Sequence, residues 1–148
     1  FMPYAKETDY FIAGHFYGNN APYLFTRDDA KHQDFKINLV ADISCDIDGP
    51  VASTIRSSTI ADPFYGYDPQ TQTESKPYQA HTLDMMTIDN LPNELPRDAS
   101  TAFGEMFIEH VIPELIAGGG PMLDKGSVTR DGDLGKHFEY LRNYLKGN

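Results

Sequence analysis

The stretch that most constrains this chain is residues 36–50, KINLVADISCDIDGP. Ile37, Leu39, Val40 and Ala41 form a short apolar run of the kind a buried strand needs. The run ends in Asp42, Asp46 and Asp48 and is broken by Gly49 and Pro50. An apolar strand tipped with carboxylates at its C-terminal end is how an open α/β sheet presents chemistry, because ligands bind outside the carboxyl ends of the strands. An α/β fold follows as the expected class, with residues 42–48 as the first place to look for function.

The flanking sequence extends that reading. Residues 9–13, DYFIA, form a second short strand, stopped by Gly14 and followed by the turn-rich loop 14–22, GHFYGNNAP. Thr26 is an N-cap candidate with Asp28 and Asp29 in the first turn, which predicts a short helix to about His32. Strand, helix and strand then make one βαβ unit with a right-handed crossover. Residues 49–80 read as irregular, broken by Gly49, Pro50, Pro63, Gly66, Pro69 and Pro77. Tyr65, Tyr67 and Tyr78 are their anchors, and 71–76 a polar turn or a flexible tip between two short strands. Residues 82–88, TLDMMTI, predict another strand, polar again at its end in 89–92.

Two helices are expected after that. Phe103, Met106, Phe107, Val111, Leu115 and Ile116 follow helical spacing, with Asp98 or Ser100 as the cap and Gly118–Gly120 as the stop. Pro96 biases Leu95 toward an extended lead-in, and Pro113 should kink the helix. Residues 134–145 predict a second helix, with Phe138, Leu141 and Leu145 on one stripe.

Charge and composition narrow the function. Across 148 residues, 22 acidic residues face 12 basic ones, a net charge of −10. That balance disfavours phosphate backbones and anionic membrane surfaces, so neither nucleic acid nor membrane is an expected partner. No apolar run approaches the ~20 residues of a membrane span, and no signal segment is visible. A single cysteine, Cys45, excludes an internal disulfide framework and suits a reducing cytoplasm. With Asp46 adjacent and Asp42 near, its thiol should stay protonated. His15, His32, His81, His110 and His137 lack ligand spacing, so no metal site is expected. Neither a G-x-G-x-x-G, a G-x-S-x-G nor a P-loop is present, and the Gly14–Gly18 loop is not a phosphate cradle.

The remaining candidates are Asp42 and Asp46, which could face one crevice or simply cap turns. His15 follows the first strand. Arg56, the one basic residue between Lys36 and Lys76, either neutralises the acidic cluster or contacts a phosphate. From the residues alone the reading stops at an α/β ligand-binding half-domain without a complete catalytic set.

Four strings go further. LVADISCDIDGP, STIADPFYGYDP, IDNLPNELPRDAST and GSVTRDGDLGKHFEYLRNYL, in that order, resemble the C-terminal region of the saccharopine dehydrogenase (lysine-forming) and lysine–ketoglutarate reductase family. More distantly the chain is similar to alanine dehydrogenase and the transhydrogenase alpha subunit. The resemblance implies a fragment of a two-domain dehydrogenase, with a partial Rossmann-like, three-layer parallel sheet unit followed by C-terminal helices. Residues 1–92 would be the C-terminal half of an NAD(P)-binding domain with the crossing segment, and residues 93–148 helices returning to the substrate domain.

The resemblance also implies roles. Asp46 would be catalytic, at the crevice shared by substrate and nicotinamide. Gly14, His15, Ile43, Ser44, Cys45, Asp46, Ile88, Asp89, Asn90 and Leu91 would line an NAD or NADP cofactor. Arg56 resembles a cofactor-contacting arginine of alanine dehydrogenases. The implied reaction joins lysine and 2-oxoglutarate with NAD(P)H to give saccharopine, or the reverse, with an alanine dehydrogenase-like reaction as the alternative. The family's lysine–histidine acid/base pair and glycine fingerprint lie upstream of these residues, so the isolated chain is expected to be inactive. It should dock with an N-terminal domain or self-associate. A non-catalytic reading, with the aromatic stretches 11–17 and 64–67 as a nucleotide-binding or protein-interaction surface, is the rival of another class.

Overall fold

The structure is a computed structural model and describes residues 1–15, 17–18 and 21–147, in two compact units, Phe1–Glu94 and Leu95–Asn148. Phe16, in the first aromatic stretch, lies outside the described residues.

In the first unit, the apolar runs do become strands. β1 (Tyr10–Ala13), β2 (Leu39–Asp42), β3 (Phe64–Asp68), β4 (Thr73–Ser75) and β5 (Leu83–Met86) form one sheet in the order β1-β2-β5-β3-β4. β1, β2 and β5 run parallel, as the βαβ reading requires. β3 runs antiparallel to both β5 and β4, so the sheet is mixed rather than parallel throughout. Phe11, Val40, Met85 and Tyr65 share one register row across four strands. Val40, Met85 and Tyr65 on that row are buried, in a core completed by Phe25, Ile37, Val51, Tyr67 and Leu83.

β3 corrects the expectation that residues 49–80 are irregular. Its aromatic alternation buries Tyr65 and Tyr67 fully. Gly66 sits between them because a Cβ there would lie 2.4 Å from the Lys76 carbonyl oxygen. A turn does lie here, but at residues 69–72: Thr73–Ser75, inside the stretch 71–76 expected to be the turn, form β4. Tyr78 is not a buried anchor: it is 67% exposed.

Two one-turn helices, α1 (Met2–Ala5) and α2 (Arg27–Ala30), accompany this sheet. Thr26 caps α2 in a full capping box. Its hydroxyl accepts from the Asp29 amide at 3.1 Å, and the Asp29 carboxylate accepts from the Thr26 amide at 2.8 Å. With so little helical cover, Tyr10 and Ile12 on β1 stay exposed.

The second unit is helical. α3 (Pro96–Met106) starts on its own proline at the first turn, with Leu95 as an N-cap that uses no side chain. Asp98 therefore complements the helix dipole in the first turn and is not the cap; Ser100 lies inside the helix. The disturbance expected from Pro113 takes the form of a π-helical turn, Phe107–Val111, immediately before α4 (Ile112–Ala117). Gly118 closes α4 at φ 77°. The Glu114 carboxylate then accepts from the amides of Met122 and Leu123, at 3.1 and 2.9 Å, at the start of α5 (Pro121–Gly126).

The continuous helix expected over 134–145 is not formed. β6 (Thr129–Arg130) and β7 (Asp133–Leu134) make a hairpin, followed by a 3₁₀ turn, Glu139–Leu141, and one helical turn, α6 (Arg142–Leu145). Asp131 and Gly132, at φ 54° and 82°, provide the tight turn. Gly135 is pressed against the Ser127 carbonyl, where a Cβ has no room. No described residue of this unit is buried; Phe103, Met106, Ile108, Leu115 and Ile116 are exposed.

Candidate active site

The three parallel strands end on the same edge of the sheet. Ala13 pairs with Asp42, and Ala41 with Met86. Gly14 and His15, the segment 43–46, and residues 88–91 therefore emerge side by side, and the Ile43 amide donates to the Ala13 carbonyl at 2.7 Å. Every segment expected to line the cofactor thus leaves this one edge, apart from Arg56, whose own chain segment is tied to β5's end through the Thr87 hydrogen bond described below.

The two aspartates of the D-x-x-x-D have different positions. Asp42 is fully buried. Its carboxylate accepts from the Thr54 hydroxyl at 2.6 Å, from the Ser44 amide at 3.1 Å and from the Ser44 hydroxyl. It locks the strand end to the segment 51–54, so it is not a free crevice acid. Asp46 is partly exposed, and its carboxylate accepts no hydrogen bond among the described residues. Its backbone carbonyl receives the Gly49 amide at 2.9 Å. A Cβ on Gly49 would fall 2.6 Å from the Asp46 Cβ, so that glycine fixes where Asp46 stands. Asp48 is exposed and pairs with Arg27 at 2.5 Å.

Cys45 joins β2's end to β5's end. It takes a left-handed backbone, φ 53°. Its thiol donates to the Thr87 carbonyl at 3.0 Å and lies 3.6 Å from the Ser57 hydroxyl. Burial pushes that thiol up from its ordinary value, the Ser57 hydrogen bond partly offsets this, and the nearby charges of Asp42, Asp89 and Asp46 add to it. Cys45 is thus held as a protonated thiol, a tether and not a nucleophile.

His15 is half-buried, and its Nε2 is enclosed without a hydrogen-bond partner among the described residues. An enclosed imidazole nitrogen without a partner is costly unless something else satisfies it. Asp89 and Asn90 are exposed, Leu91 is half-buried and Ile88 is buried at the end of β5.

Arg56 is not paired with the strand-end acids. It grips Glu74 on β4 with two hydrogen bonds, Nε to Oε2 at 2.8 Å and Nη2 to Oε1 at 2.9 Å. The guanidinium lies 4.4 Å over the Tyr65 ring. Its fork is therefore occupied, and a phosphate would have to displace Glu74. Thr54, Ser57, Thr87 and Glu74 have no signature in the sequence. They matter because of pairings over 12 to 42 residues, and a reading along the chain has no access to those. Among the described residues no group of histidines, cysteines and acids is placed to hold a metal, and no helix is long and apolar enough to cross a membrane.

The carboxyl ends of the parallel strands thus bring together an acid and an imidazole nitrogen that have no hydrogen-bond partner among the described residues, with exposed polar turns beside them, at the edge where open α/β sheets hold ligands. The chain is similar to alpha-aminoadipic semialdehyde synthases. It is 26% identical to the mitochondrial protein of Mus musculus, over 93% of this chain. It is 24% identical to that of Bos taurus over the same share, and 26% identical to the Arabidopsis thaliana protein over 74% of this chain. The chain spans 18% of the length of the two mammalian relatives and 11% of the plant one. No protein-family model matches it. These relatives bear out the resemblance to lysine–ketoglutarate reductase and saccharopine dehydrogenase that the four strings carry.

Proposed function

We propose that this chain forms one wall of the active site of an NAD(P)-dependent, saccharopine dehydrogenase-like oxidoreductase, acting on lysine and 2-oxoglutarate or in reverse. The observation that carries this reading is the edge itself: on the loop after β2, the Asp46 carboxylate has no hydrogen-bond partner among the described residues, while Asp42 is buried and held by Ser44 and Thr54.

The residues present suit the nicotinamide end of the cofactor. The Nε2 of His15 lacks a partner among the described residues, and Asp89 and Asn90 offer polar atoms from the exposed turn after β5. Nothing among the described residues forms a phosphate cradle, so the diphosphate would be held by other parts of the polypeptide. A bound reduced nicotinamide supplies the hydride that reduces the carbon–nitrogen double bond formed between the two substrates. The Asp46 carboxylate accepts a charge-assisted hydrogen bond from the reacting nitrogen and fixes its orientation. The tether from Cys45 to Thr87 holds that carboxylate's loop at a constant distance from the turn after β5. Proton transfer falls to groups outside this chain, which leaves the isolated chain inactive. The exposed apolar stripe of the second unit supports a docking role for it on the remainder of the polypeptide.

The test is the full-length polypeptide that carries this segment. NADH or NADPH oxidation should be much faster with lysine plus 2-oxoglutarate than with pyruvate plus ammonia. Faster turnover of pyruvate and ammonia would replace this reading with an alanine dehydrogenase-like one.

A further inference from the structure

A single path of contacts runs from the exposed edge strand β4 to the candidate site. It begins at Glu74, whose carboxylate takes both hydrogen bonds of the Arg56 fork, at 2.8 and 2.9 Å. A third guanidinium nitrogen, Nη1, donates to the Ser57 carbonyl at 3.0 Å. The Arg56 carbonyl accepts from the Thr87 hydroxyl at 2.8 Å. The Ser58 amide donates to the Thr87 carbonyl at 2.9 Å, and the Thr87 amide to the Ser58 hydroxyl at 3.0 Å. The same Thr87 carbonyl receives the Cys45 thiol at 3.0 Å. Residues 56–58 are therefore stitched to the end of β5 and, through it, to the loop that carries Asp46.

We infer that Glu74 and Arg56 are positioning residues: their ion pair is a latch that clamps segment 56–58 onto the end of β5 and so sets the spacing between the two loops of the site. A surface ion pair is ordinarily worth little. This one has the bidentate geometry and the aromatic seat that make an arginine–carboxylate pair specific. The pairing holds the Glu74 carboxyl below its ordinary range. The latch is a property of the fold alone; its bearing on catalysis rests on the function proposed above.

Amide hydrogen exchange in the 148-residue chain, read residue by residue by NMR, tests it without any cofactor. In Glu74→Gln, exchange at Ser58 and Thr87 should accelerate about fivefold, while the Ile43 amide, bonded to Ala13, keeps its wild-type rate. The charge-swapped pair, Glu74→Arg with Arg56→Glu, should return both rates toward wild type. Asp68→Asn, on the same hairpin but off this path, should leave Ser58 and Thr87 unchanged. Unchanged exchange in Glu74→Gln would overturn the latch. So would an equal acceleration at Ile43 or in Asp68→Asn, since either would report general loosening of the sheet. A latch confirmed in a protein that fails the substrate test above would leave this inference standing and remove only the functional one.

Discussion

At the residue scale, two aspartates four positions apart have opposite settings. Asp42 completes a buried hydrogen-bond cluster with Thr54 and Ser44, whereas Asp46 is bound to nothing described. Asp42→Ala should therefore lower stability by about 2–4 kcal/mol, because it strands buried polar groups. Asp46→Ala should change stability by less than about 0.5 kcal/mol. Urea unfolding of the two variants separates the roles, and equal losses would contradict them. Part of this was legible. Side chains alternate along a strand, so Asp42 shares a face with buried Val40. The identity of its partners was not, since Thr54 arrives from a segment with no periodicity. Cys45 gives a second check. With its thiol pushed above the ordinary 9.0, alkylation by iodoacetamide should rise to half its limiting rate only above that pH. A midpoint below it would contradict the acidic, half-buried setting.

At the scale of elements, local signals succeeded where the period was clear. β1, β2 and β5 were readable from short apolar runs, and α2 from its cap. Replacing that cap, Thr26→Ala, should cost about 1 kcal/mol of stability, measured by thermal or urea unfolding. β3 was expected only as an unbounded short strand before the 71–76 turn, because Pro63, Gly66 and Pro69 look like breakers, yet each has a strand-compatible place. Both prolines fall outside the pairing, and Gly66 lies where the Lys76 backbone passes. Gly66→Ala should accordingly destabilise the chain by about 1–3 kcal/mol through that contact. The final predicted helix failed for the opposite reason. Phe138, Leu141 and Leu145 do keep helical spacing, but Gly132 and Gly135 upstream favour a tight hairpin, and apolar spacing alone does not outweigh them.

At the scale of the whole molecule, the sheet brings together segments more than 70 residues apart at one edge, and three carboxylates of the same unit are favoured in ionised form by their hydrogen-bond partners. The carboxyls of Asp29, beside the Thr26 amide and hydroxyl, and of Asp34 and Glu74, beside Lys6 and Arg56, all lie below their ordinary values of 3.8 and 4.5. A lowered native value means that the ionised form is favoured by folding. The stability these groups add is present above about pH 4.5 and is lost as the pH falls below 3.8. Melting temperatures should be flat near neutrality and drop on that descent; an unchanged melting point at pH 3 would contradict these pairings.

On the function proposed above, the carboxyl edge of β1, β2 and β5 receives the nicotinamide cofactor. NMR titration of the chain with NADH tests it most directly, because shifts in individual amides locate even weak binding. The account predicts shifts concentrated at Gly14, His15, residues 43–46 and residues 88–91, abolished in a folded Asp46→Ala variant. Shifts absent from that edge, centred elsewhere, or undiminished by Asp46→Ala would contradict it.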